Sequence, residues 1–291
     1  MRLDVQRTAH RPAVAAAKPI RRMRGGTQSY LIEADDGNFY VVKFSNNPQH
    51  PRLLVNELIA SVVLRHLGIA TPEWAFVTIS EEFLGSHPEV CFALAHGWRP
   101  VAAGVHFGSR YPGDPHRQTV YDFLPESLLT NVSNISDFLG ALVFDKWIGN
   151  TDYRQAIFFR PDHPTQLDRS FRAHMIDNGS VFGGADWRFR DSTLYGLYFS
   201  RSVYRRIQEI NSIQPWLDRV ATVSESLLTE AARVIPDEWL IGDRQQLEQL
   251  LFQLLRRRER LPQLLHETQA LMLIEPFVQA EPTRQKASRG T

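Results

Sequence analysis

The chain has 291 residues, 43% of them hydrophobic and 22% charged, enough for one two-lobed unit or two small domains with real cores. Its 33 Lys and Arg against 32 Asp and Glu leave a formal charge of +1, which argues against attachment to nucleic acid or membrane by bulk charge. A lone cysteine, Cys91, excludes an internal disulfide and a multi-cysteine metal site; in the apolar stretch VCFALA it reads as a buried thiol.

Residues 1–18 read as an arm or peripheral strand, too weakly apolar for a secretory signal, and no run reaches the roughly 18 apolar residues of a membrane span. A reducing cytoplasm is therefore the expected setting. Gly25-Gly26 precedes a predicted hairpin, SYLIEA and FYVVKF joined by Asp35-Asp36-Gly37-Asn38. In the second strand Tyr40, Val42 and Phe44 share one face, and Phe39, Val41 and Lys43 the other. A helix is expected from about Pro51, with Leu54, Leu58, Ile59, Val62, Val63 and Leu67 at helical spacing and Gly68 as its left-handed cap. WAFVTI and VCFALA suggest two more strands.

The stretch from His96 to Pro125 is rich in Gly and Pro and reads as a hinge with a long surface loop. Beyond it the chain is mostly helical, broken by a strand, turn, strand unit at AIFFRPD and RAHMID. Leu247, Leu250, Leu251, Leu254 and Leu255 form an apolar helical stripe. The run Arg256–Arg260 is expected as a solvated helix end stabilised by the dipole rather than a nucleic-acid patch. Residues 281–291 are polar and read as a disordered tail.

Several side chains in this order suit phosphate chemistry. Gly25, Gly26, Thr27 and Gln28 form a loop whose N–H groups can approach phosphate oxygens, though it lacks the Gly-Lys-Ser/Thr ending of a P-loop. Lys43 is either an edge lysine or a phosphate ligand; Glu57, 14 residues on in the helix, can hold its ammonium across the sheet–helix interface. Asp152 follows an apolar helix ending at Gly149-Asn150, placed to accept a proton from an acceptor hydroxyl, unless it only caps a turn. Asp145, one to two turns back, reads as structural, paired with Arg154 or Lys146. Asp177, 25 residues after Asp152, ends a short strand and offers the hard oxygens that Mg²⁺ prefers. The string Trp187-Arg188-Phe189-Arg190 reads as packing plus surface charge. Histidines show no zinc-ligand spacing, and a Gly-x-Ser-x-Gly elbow is absent.

Together GGTQSY with VVKF, the helix NELIASVVLRHLGI, and KWIGNTDYRQAIFF with MIDNG resemble the HipA-like kinases, bacterial proteins of an atypical protein-kinase fold, over about residues 19–280. The resemblance implies an α+β, two-lobed protein-kinase-like fold: a small antiparallel sheet plus helix (19–95) and a larger, mainly helical lobe (96–280). It also implies ATP and Mg²⁺ in the cleft, with Lys43 on the phosphates, Glu57 holding Lys43, Asp152 catalytic and Asp177 on the metal. Two departures stand out. Toxin members carry an asparagine metal ligand five residues after the catalytic aspartate, where this chain has Ile157; Gln155 can supply an amide oxygen instead. Only 24 residues precede the glycine loop, so the chain resembles the shorter, stand-alone branch.

The expected activity is transfer of the γ-phosphoryl group of ATP to a protein Ser or Thr, without nucleic acid or membrane as direct ligand and with room for a regulatory protein partner. The alternatives are a catalytically weak module that holds nucleotide or a partner, and a small-molecule kinase. The neighbourhood after Asp177 is basic and aromatic, which ranks the last of these third.

Overall fold

Alternating burial organises the first part of the chain in the computed structural model, which describes residues 13–161, 170–204 and 212–274. The strands in chain order are β1 (Val14–Arg22), β2 (Tyr30–Ala34), β3 (Phe39–Lys43), β4 (Trp74–Ile79), β5 (Cys91–Leu94), β6 (Gly97–Pro100) and β7 (Gly104–Arg110). Five of them close a barrel in the order β1-β2-β3-β7-β4, with only the β1–β4 seam parallel. Tyr30, Ile32, Tyr40, Val42 and Phe44 fill it, so Lys43 points away from the interior, as the two-residue period requires. The hairpin turns at Gly37, whose φ is +74°.

The break expected after residue 18 falls inside β1, and the one after residue 95 falls inside the β5–β6 hairpin. The Gly- and Pro-rich stretch is a correction too: it contains β7, a central barrel strand between β3 and β4. Glycine signalled a loop, but at Gly108 it serves close packing. A Cβ there would stand 2.6 Å from Val77 Cγ2 and 3.3 Å from Tyr40 Cβ. Cys91 is half-buried, not buried, because the short β5–β6 hairpin covers one side only.

Helix α1 (Arg52–His66) joins β3 to β4, and a short α2 (Glu81–Ser86) follows β4, started by Ser80 accepting the Phe83 N–H. The apolar stripe predicted for α1 understates its burial. Asn56, Glu57 and Ser61 are buried as well, because α1 is sandwiched between the barrel and the rest of the chain. Gly68 follows it with φ +72°, the expected left-handed stop.

The remainder comprises β8 (Val120–Tyr121), α3 (Glu126–Leu129), α4 (Asp137–Ile148), β9 (Gln155–Phe159), β10 (Arg172–Ile176), α5 (Gln214–Thr222), α6 (Glu225–Arg233), α7 (Asp237–Leu240), α8 (Arg244–Arg256) and α9 (Leu261–Ile274). The strands form a small antiparallel sheet, β10-β9-β8. One apolar core runs from α1, Trp74 and Phe107 into α4, β9 and the later helices. Trp147 Nε1 donates to Leu254 O and Trp239 Nε1 to Val105 O, both at 2.9 Å, tying helices to α8 and to β7. The leucine stripe of α8 is buried at four positions, with Leu255 partly so.

The arginine run beyond α8 is not merely solvated. Arg257 donates to the carbonyls of Lys146 and Trp147 at the end of α4, and Arg258 donates to Val223 O. Guanidinium donors satisfy these orphan helix-end carbonyls better than water would from inside a packed interface. No described helix is long and apolar enough to cross a membrane. The tail expected at 281–291 lies outside the described residues.

Candidate functional site

Lys43, Glu57 and Asp177 meet at the edge of the barrel. Lys43 Nζ donates to Glu57 Oε1 and to Asp177 Oδ1, the latter at 2.7 Å. Burial disfavours the ammonium, but the Asp177 and Glu57 carboxylates outweigh it and hold the pKa of Lys43 above its ordinary value. Glu57, buried in α1, also accepts the backbone N–H of Asn178 at 2.9 Å. The helix glutamate thus joins barrel to β10.

Asp177 follows β10 in the left-handed region, φ +57°, a conformation that Asp tolerates better than most side chains. That turn sends its carboxylate toward Lys43, whose charge holds the carboxyl below its usual range. Its second oxygen receives Gln155 Nε2 at 2.9 Å. Asn56 locks the following segment, donating to Gly179 O, Val181 O and Gly184 O and accepting Trp187 Nε1.

Asp152 stands on the loop after α4. Gly149 ends that helix at φ +69°, and a Cβ there would lie 2.8 Å from Phe189 Cδ1. Asn150, buried beneath the loop, donates to Asp145 Oδ1 at 3.0 Å and accepts the Asp152 N–H at 3.1 Å. The Asp152 carboxylate is exposed and takes the Tyr153 N–H at 2.7 Å. Its backbone is therefore fixed while a carboxylate oxygen remains accessible.

Behind this loop Arg154 wraps the Asp145 carboxylate with Nε and Nη2, and both side chains are sealed from solvent. Of the two partners expected for Asp145, Arg154 is the one observed, while Lys146 bonds backbone carbonyls instead. Arg154 Nη1 also donates to Ile176 O and to Asn178 Oδ1, at 3.0 and 2.9 Å. A continuous hydrogen-bonded line therefore runs Lys43, Glu57, Asn178, Arg154, Asp145, Asn150, Asp152. Asn178, Arg154 and Asn150 were not read as site residues. The only trace they left was a polar residue beside each acid, which resembles ordinary turn chemistry.

The glycine loop lies at the same end of the barrel as Lys43, because Tyr30 pairs with Val42. The N–H groups of Gly25, Gly26 and Thr27 have no hydrogen-bond acceptor among the described residues, and Thr27 Oγ1 bonds Ser29 Oγ. Gln28 is a correction. Its N–H goes to Gly25 O, and its amide clamps Ala93 through two bonds of 2.7 and 2.8 Å, anchoring the loop to β5. The string at 187–190 is mostly packing: Trp187 is buried under the Arg52 guanidinium, and Phe189 lies against Phe182 and Arg257.

The sequence profile of the HipA-like kinases matches residues 18–269. A search of curated protein sequences returns no match. Among solved structures, the chain is similar to the Golgi casein kinase with Mn/ADP bound, at 12% identity and a TM-score of 0.48, over 88% of this chain and 72% of that one. It is also similar to the proinflammatory kinase CtkA of Helicobacter pylori, at 14% and 0.47, over 91% of this chain and 100% of the other. The HipA chain of the Shewanella oneidensis toxin–antitoxin complex with HipB and operator DNA matches at 14% and 0.44, over 87% and 68%. The profile covers nearly the whole chain and contains every residue of the line from Lys43 to Asp152, so this protein belongs to the HipA-like kinase family.

Proposed function

We propose that the protein is a two-lobed, ATP- and Mg²⁺-dependent kinase acting on a Ser or Thr hydroxyl of a protein in the cytoplasm. The barrel with α1 is the small lobe, and the part from β8 onward is the large one. The observation that carries this reading is the bonded line from Lys43 to Asp152, which sets a phosphate-binding cation and a free carboxylate in one rigid frame.

In this reading Lys43 faces the α- and β-phosphates, and the N–H groups of Gly25, Gly26 and Thr27 cover them. Asp177 would hold Mg²⁺ through its carboxylate, and Gln155, whose Nε2 donates to Asp177 Oδ2, would turn its amide oxygen to the ion, with phosphate and water completing the shell. Bound there, Mg²⁺ would neutralise charge on the phosphates. Asp152 accepts the hydroxyl proton as the acceptor oxygen bonds to the γ-phosphorus. The bond from that phosphorus to the β–γ bridging oxygen breaks, and ADP leaves.

A second reading, a nucleotide-holding module with little turnover, draws on Ile157, buried on β9 where toxin members have an asparagine ligand. Transfer of labelled phosphate by wild type and Asp152→Ala separates the two. The kinase reading expects the variant to lose about 10²–10⁴-fold in kcat while Mg²⁺–ATP binding persists. Equal background transfer by both proteins, with ATP still bound, would leave the module.

A further inference from the structure

The chain beyond Asp177 returns to lie edge to edge with the catalytic loop. Gly196 N–H donates to Asp152 O at 2.8 Å, and Arg154 N–H donates to Leu197 O at 3.0 Å. No side chain fits at Gly196, where a Cβ would stand 2.4 Å from Asp145 Cβ. Lys146 secures the preceding stretch: its buried ammonium donates to the carbonyls of Ser192, Thr193 and Tyr195. Burial pushes this lysine down to about 8, and in the charged form its three N–H bonds match the three carbonyls one for one. Residues 192–197 are therefore a fixed ledge beside Asp152.

The ledge shows large apolar side chains to solvent. Leu194 is 45% exposed and Tyr195 38%, next to Tyr153 at 56% on the catalytic loop. Phe199, exposed and packed at 5.3 Å on the equally exposed Phe123, extends the run. Single exposed apolar residues are ordinary, but these lie on two segments that backbone hydrogen bonds hold together beside an accessible carboxylate. Asp186 is taken by Arg190, and Asp191 by Arg257 and Arg260. Between Asn178 and Phe199 both carboxylates thus already face arginines.

We propose that this ledge receives an extended protein segment whose Ser or Thr is flanked by apolar or aromatic residues, laid over Tyr153, Leu194 and Tyr195 with its hydroxyl toward Asp152. The assignment rests on the protein-kinase reading above and names the substrate class for the same site.

The test uses the full chain, Mg²⁺ and labelled ATP with three peptide pools, each holding a central Ser or Thr flanked by Leu/Phe/Tyr, by Lys/Arg or by Asp/Glu. The apolar pool should be labelled about tenfold faster than either charged pool. Leu194→Ser with Tyr195→Ser should raise KM for that pool about tenfold and flatten the preference. Equal or faster labelling of a charged pool overturns the ledge and leaves the kinase reading intact. So does a variant that slows all three pools by one common factor, since that marks a structural role alone. No labelling of any pool, with no Mg²⁺-dependent ATP turnover, overturns both.

Discussion

Lys43 and Arg154 each gather carboxylates, but in opposite surroundings. Lys43 faces two, Glu57 and Asp177, and the Asp177 side chain is 41% exposed. Arg154 faces one, Asp145, and both side chains are 0% exposed. A sealed one-to-one pair is neutral; it can orient Asn150 and Asn178 but offers nothing to a ligand. The node at Lys43 carries one negative charge in excess and opens on one side, which suits a metal arriving with phosphates. Charge stoichiometry and access thus separate scaffold from site, although both nodes use the same kinds of residue.

Breaking the sealed pair should have the largest effect on stability. Arg154→Met leaves a buried carboxylate without its cation and should cost about 3–5 kcal/mol, read as a lower urea midpoint. Adding Asp145→Leu should recover much of that loss, because an apolar pair needs no solvation. A cost under about 1 kcal/mol, as for an exposed pair, would mean that water reaches Asp145, and the contrast with Lys43 would collapse.

How visible the two nodes were in the sequence follows from the same contrast. Lys43, Glu57, Asp152 and Asp177 could be read because each ends or interrupts a periodic apolar element. The scaffold between them could not. Arg154 was read only as a partner for Asp145, and nothing in its spacing reveals that its third nitrogen reaches Asn178, 24 residues away. Strands β2, β3, β4, β9 and β10 showed their period or their apolar run. β7 did not, because glycine mimics a loop when at 108 it serves tight packing inside a barrel and at 104 it opens the strand at φ +133°. Gln28 was misread for a related reason: composition says that a side chain can bond, not to whom.

Acid titration sharpens the comparison at lower amplitude. Lys43 holds the Asp177 carboxyl below its usual range, so the folded state binds that proton more weakly than the unfolded chain. The resulting stability is present above the ordinary carboxylate value near 3.9 and is lost as pH falls through the lower folded value. Asp177→Asn should therefore flatten the decline in urea midpoint as pH falls below about 4. An unchanged acid limb would show that Asp177 and Lys43 are not coupled in solution.

The smallest expected effect is also the most discriminating. Lys43→Met leaves Glu57 and Asp177 together with no cation, at a node that solvent can enter. Mg²⁺ at millimolar concentration can then bind the oxygen donors and raise the melting temperature by about 2–4 °C, the equivalent of about 1 kcal/mol in a chain of this size. NaCl at equal ionic strength controls for screening and should give less. Arg154→Met should show no such recovery, because its orphaned carboxylate is closed off from the ion. Equal recovery in both variants, or none in Lys43→Met, would mean that the two nodes differ in burial alone and that the excess charge at Lys43 does not make a metal site.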